Sequence, residues 1–177
     1  MEWLANLKNN LLQRQVNKLL QNKSNRKATN FADCQNISIL FNANDNQNLS
    51  AVFQYIRLLI GLNKNVSALG FWNANDLSNA PTQYPIFNKK NLSFANVPKG
   101  ELIENFNTQN SDLLLALYIT PLAALDYLIA ASQAKFKVGF YSEVNCNLLD
   151  FMLYSKNIDL ETAVNQLHSQ LQNLDFK

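Results

Sequence analysis

For chemistry this sequence offers one histidine, two cysteines and thirteen carboxylates, and spacing decides what they could do together. Nucleophilic catalysis needs a thiol or hydroxyl beside a base. His168 follows Val164 and Leu167 and precedes Leu171, so it reads as a boundary histidine on an amphipathic helix. No spacing brings Cys146 to it, and Cys34 reads as a small packed residue ahead of an apolar run. One His and two distant Cys make no zinc set, while Asp45, Asp76 and Glu143 are too scattered for a carboxylate cage. Phosphate cradles need clustered glycines, because backbone N–H groups must approach the anion closely. Gly61, Gly70, Gly100 and Gly139 lie far apart, with neither G-x-G-x-x-G nor a Walker-type lysine loop. No metal and no cofactor is expected, and the balance leans away from an enzyme.

What remains is a polar rim whose meaning depends on the elements beneath it. "ISILFNA" (37–43), "VSALGFW" (66–72), "DLLLALYI" (112–119), "FKVGFY" (136–141) and "LLDFMLY" (148–154) read as strands. The third is apolar throughout, as a strand buried on both faces should be. Thr120-Pro121 supplies an N-cap and a first helical residue for "LAALDYLIAASQA", so 112–141 reads as strand, crossover helix, strand. Such a unit requires a parallel sheet with a right-handed connection. "LSAVFQYIRLLIGL", with Gly61 near its end and Asp45 or Asn48 as cap, is a helix between the first two strands. "GELIENFNTQ" is a short helix and 158–174 a closing one, while "IFNKKNLSF" looks like a hairpin with Asn88–Asn91 at its tip. Asp150 is expected at a strand end.

The expected architecture is a three-layer α/β domain, Rossmann-like or flavodoxin-like, with about five mainly parallel strands over residues 31–177. In such sheets ligands gather outside the carboxyl ends of the strands. Asn44, Asp45, Trp72, Thr120, Glu143 and Cys146 stand there and are the candidate ligand-binding residues.

Residues 1–30 differ from this body. They hold six basic residues and one acid, 6 − 1 = +5, against 9 − 12 = −3 for the remainder. Trp3, Leu4, Leu7, Leu11, Leu12, Val16, Leu19 and Leu20 make residues 2–25 a basic amphipathic helix. It would dock on the body, lie on an anionic membrane, or touch phosphates; no nucleic acid partner is expected. The helix over 121–134 is apolar around most of its circumference and asks for cover on a second side. The N-terminal helix or a second copy of the chain would supply it. The 28 asparagines reflect AT-rich codons rather than glycan sites. Without a signal-type apolar segment or a window long enough to span a bilayer, the cytoplasm of a bacterium is the expected setting.

The run of "ISILFNA", "IRLLIGL", "VSALGFW", "SDLLLALYITPLAALDYLIAASQAKFKVGFY" and "LLDFMLY" resembles a family of small uncharacterised bacterial proteins classed only as a domain of unknown function. That resemblance covers nearly the whole chain and brings no functional residues with it. "SDLLLALYITPLAALDYLIAASQAKFKVGF" also resembles the strand–helix–strand segment in the N-terminal half of heptosyltransferase-type glycosyltransferases. This second resemblance implies the fold. Those enzymes hold the nucleotide sugar with a second Rossmann-like half, for which 177 residues leave no room. The function expected is a non-catalytic binding or interaction module, the alternatives being a ligand-binding protein or enzyme using the rim, or a membrane-peripheral protein.

Overall fold

The computed structural model describes residues 2–21, 26–155 and 158–176. In chain order its elements are α1 (Glu2–Gln21), β1 (Asn36–Asn42), α2 (Asn46–Gly61), β2 (Asn65–Trp72), β3 (Ile86–Asn88), a 3-10 turn (Lys89–Asn91), α3 (Glu101–Asn107), β4 (Leu113–Leu117), α4 (Ala123–Ala131), β5 (Phe136–Phe140), β6 (Phe151–Leu153) and α5 (Leu160–Asn173). The six strands form one sheet in the order β3-β2-β1-β4-β5-β6, and every pairing is parallel. The fold is therefore α/β with a Rossmann-like layout, and the winding reverses between β1 and β4.

Alternation along the strands divides the core. Ile37, Ile39 and Phe41 of β1, with Leu113, Leu115 and Leu117 of β4, face one layer, closed by Val52, Ile56 and Leu59 of α2 and Leu160, Val164 and Leu167 of α5. Leu40, Leu114 and Ala116 face the other, closed by Ile103 and Phe106 of α3 and Leu125, Leu128 and Ile129 of α4. Every residue of β4 is buried, which is why its sequence carries no polar alternation. Where Phe41 pairs with Gly70, its ring would lie 2.6 Å from any Cβ added at that glycine, so only glycine fits beside it.

The second cover of α4 comes from this chain. α1 lies across α4, burying Leu12 and Val16 and packing Leu19 and Leu20 against the same layer. Each fully buried side chain of this kind contributes about 1.5–3 kcal/mol. Over 121–134 only Ala123 and Gln133 stay exposed. The helix expected over 2–25 is seen over Glu2–Gln21, and 22–25 lie outside the described residues.

Several boundaries differ from expectation, each for a local reason. The hairpin expected over 86–94 does not form. Ile86–Asn88 instead join β2 as a sixth, parallel edge strand. Asn88 then caps the 3-10 turn: its side chain accepts from Lys90 N, and Asn91 Oδ1 accepts from Asn88 N. This reciprocal box turns the chain away before a return strand can pair. α4 begins at Ala123, not at Pro121, because Leu122 O accepts the first amides, from Leu125 and Asp126. The strand expected over 148–154 shrinks to Phe151–Leu153. Ser142 and Asn145 close a turn through two side chain–backbone bonds, and Leu148 and Leu149 plug the core instead of pairing. At the end of α2 the left-handed position is taken by Asn63, with φ 59°, two residues after Gly61.

Candidate functional site

The sheet has two ends, and charge is used differently at each. At the amino end Asp112, just before β4, accepts from the N–H groups of Gln35 and Asn36 at 2.9 Å and from Lys135 Nζ at 2.8 Å. Burial opposes its ionisation, but these donors outweigh burial and hold its carboxyl below the usual range. Asp150 is more than a strand-end residue: it grips Arg26 through two 2.7 Å bonds and accepts from Lys137 N at 2.9 Å. Lys64 Nζ donates to the carbonyls of Phe31 and Ala32. These groups tie the strands to the segments before them. The hollows at this end are lined by Arg26, Lys27, Asp33 and Lys135, or by Lys64; of these Arg26, Lys135 and Lys64 are committed to those bonds.

The six rim residues do sit at the carboxyl end, but they separate. Asn44 staples β1 to β2: its N and Nδ2 donate to Asn42 Oδ1, Nδ2 also donates to Phe71 O at 3.1 Å, and Oδ1 accepts from Asn73 N at 2.9 Å. Asp45 occupies the N-cap of α2 without a side-chain cap bond, accepting instead from Asn48 Nδ2 at 2.7 Å. Trp72 ends β2 half-buried against the α2 layer. Thr120 is exposed in the turn before α4. Glu143 and Cys146 share the Ser142–Asn145 turn, where Cys146 Sγ donates to Glu143 O at 3.4 Å. Asn44 and Asp45 are thus occupied in building the β1–α2 turn, which leaves no phosphate cradle of glycine amides there.

His168 pairs with Tyr55, whose hydroxyl lies 3.0 Å from Nδ1, and meets the Phe31 ring edge-on. Burial lowers its pKa. Its neighbours belong to the α2–α5 layer, whereas Leu148 and Leu149, just after Cys146, belong to the other, so the thiol and imidazole do not meet. Among the described residues no cluster of His, Cys, Asp or Glu could hold a metal ion.

A cleft of about 490 Å³ opens on the α4 side of the carboxyl end. Its apolar surface is Phe71 of β2, Leu92, and Leu122 and Ala124 at the start of α4. Lys8 of α1 and Lys89 of the 3-10 turn flank it, with Asn73, Ser93 and Asn96 as further polar groups. Lys8 Nζ also stands 5.0 Å over the Phe94 ring. None of the four residues Lys8, Lys89, Ser93 and Asn96 was a sequence candidate. Lys8 lay on a helix with no known docking place, and Lys89 on an expected hairpin tip. The Asn88-x-x-Asn91 spacing of the capping box was the signal that could have placed Lys89.

The structure also sets apart a buried acid. Asp126, 5% exposed, accepts from the Tyr118 hydroxyl at 2.9 Å beside a small cavity of about 50 Å³ between α1, α4 and residues 144–148. Burial pushes its pKa up to about 6, with the Tyr118 bond acting against it. In turn, burial and the nearby carboxyl raise the Tyr118 hydroxyl. In the sequence Asp126 is a polar position on an otherwise apolar helix; α1 and the 144–148 turn bury it. No helix among the described residues is long and apolar enough to cross a membrane.

Residues 8–174 match the model of a family of unknown function, DUF6913. A search of curated proteins finds no match.

Proposed function

The chain belongs to the DUF6913 family, and we propose that it is a non-catalytic binding module that takes a small anionic molecule with an apolar body in the cleft over β2 and the start of α4. The observation that carries this reading is the convergence of Lys8 and Lys89, from two separate elements, on one apolar floor. About 490 Å³ lies within the range of small-ligand sites, and a few polar groups over an apolar floor is their usual chemistry. The cleft lines no thiol, imidazole or carboxylate, which favours binding over turnover. No comparison supports the resemblance to heptosyltransferases, and none of their chemistry is carried over. Two free cysteines fit a reducing compartment, and a bacterial cytoplasm is the setting we propose. A homodimer through 121–134 ranks behind this reading, because α1 already covers that helix.

The test is a thermal-shift and calorimetry screen with nucleotides, sugar phosphates and acyl phosphates against the full chain and a Lys8→Ala/Lys89→Ala variant. A charge-assisted contact contributes about 1.5–3 kcal/mol, so losing both lysines should weaken an anionic ligand at least a hundredfold. Equal affinity in the variant, or preference for uncharged analogues, would overturn the reading.

A further inference from the structure

A 100° turn per residue places Trp3, Leu7, Arg14 and Lys18 within about 60° of one another on α1. Leu12, Val16 and Leu19 fall on the opposite side, and that side is the one packed on α4. Of the apolar stripe legible in the sequence, Leu12, Val16 and Leu19 are therefore already used inside the protein, while Trp3 and Leu7 face outward. A second, outward stripe remains, starting with two large apolar side chains and continuing with two cations. Trp3 is 66% exposed and Leu7 40%. Beside the helix, where Lys8 reaches its ring, Phe94 is 65% exposed. The segment carrying Phe94 is basic as well: from Leu77 to Gly100 the chain has Lys89, Lys90 and Lys99, with acids only at its two ends, Asp76 near Lys90 and Glu101 at the start of α3. Arg14, Lys18, Lys89, Lys90 and Lys99 are all exposed.

We infer that the outward face of α1, with Phe94 beside it, seats this protein on an anionic lipid bilayer. Charge complementarity argues for the occupant. Glu2 is the one acid in the α1 sequence against Lys8, Arg14 and Lys18, and the neighbouring segment adds three further lysines. Aromatic side chains with apolar bodies suit the headgroup level, and cations beside them meet lipid phosphates. Attachment is peripheral and shallow, because the other face of α1 stays packed on α4 and the helix lies along the surface. An anchor of this composition depends on salt, since its cations act through a screened surface potential. It does not use the ligand cleft, although Lys8 stands near both.

The experiment is flotation of the full chain with vesicles of phosphatidylcholine alone and with phosphatidylserine added, at low and physiological salt. Binding to the anionic vesicles that weakens with salt is expected, with little on phosphatidylcholine alone. Each neutralised cation, in Arg14→Gln and Lys18→Gln, should lower partitioning about fivefold. Trp3→Ala/Leu7→Ala should lower it at least tenfold at unchanged thermal stability, since both positions are exposed. The Lys8→Ala/Lys89→Ala variant separates this surface from the cleft. It should keep anionic-vesicle binding within the loss of two cations, even where it abolishes binding of a soluble anion. Equal binding to both vesicle types, no binding to anionic vesicles at low salt, or indifference to the Trp3/Leu7 pair would overturn the inference. So would tight binding to a soluble polyanion such as duplex DNA with none to vesicles.

Discussion

β4 has an aspartate beyond each end, and the two behave oppositely. Asp112, before the strand, faces two backbone N–H groups and the Lys135 ammonium, and its carboxyl is held ionised. Asp126, on the helix after the strand, has one hydroxyl donor and is pushed up to about 6. Both are largely buried, so burial alone does not set the sign. The number and charge of donors does. The amino end of the sheet is built to hold charge permanently. At the carboxyl end burial raises the pKa of a carboxyl to about 6, while Lys8 and Lys89 flank an open cleft.

The largest effect should come from breaking the first of these sites. Asp112→Ala leaves the Gln35 and Asn36 amides without their acceptor and should cost about 3 kcal/mol in urea unfolding. Its depressed pKa contributes stability that is present above the unfolded carboxylate pKa and lost as pH falls through the lower folded value. The variant's deficit should therefore shrink in strong acid.

Asp126 gives the reverse slope. Its folded pKa lies above its unfolded one, so the native state binds the extra proton between about 3.8 and about 6, and stability falls as pH rises through that window. Asp126→Asn keeps an acceptor for Tyr118 and carries no charge. It should be more stable than the parent by about 2–3 kcal/mol at pH 8 and indistinguishable from it below about pH 3. A variant less stable than the parent at pH 8 would mean that the ionised carboxylate is better accommodated than burial implies.

Tyr118→Phe sharpens the same contrast. Removing the lone donor should cost about 1 kcal/mol and move the Asp126 titration to higher pH, readable by carbonyl-region NMR. Smallest of all, Lys8→Ala/Lys89→Ala should change thermal stability by no more than about 0.5–1 kcal/mol, since both lie outside the ion pairs of the amino end and Lys8 gives up only its contact over the Phe94 ring. A large loss would make them structural rather than ligand-directed.

How much of this was legible follows from where the information sits. The β4–α4–β5 unit could be read because its burial is written into consecutive residues: an apolar strand, a helix apolar on most sides, then a second strand. β3 could not, because three residues ending in Asn88 carry too little pattern, and their partner β2 is recognised only once the sheet exists. The carboxyl end of the sheet was correctly placed by topology. What the side chains do there was not legible, because Asn44 and Asp45 spend theirs on local turns, while Lys8 and Lys89 meet only through tertiary packing. Asp126 illustrates the same limit. Polarity at one position says nothing of the helix that will cover it.

The docking of α1 on α4 also sets a timetable for synthesis. The first helix leaves the ribosome with Leu12 and Val16 bare, and its resting place around Ala124–Ala130 is made about a hundred residues later. At about 5–20 residues per second, that greasy flank waits roughly 5–20 s for its partner. Until the sheet closes beneath it, that flank of the nascent chain is bare apolar surface open to non-native contacts.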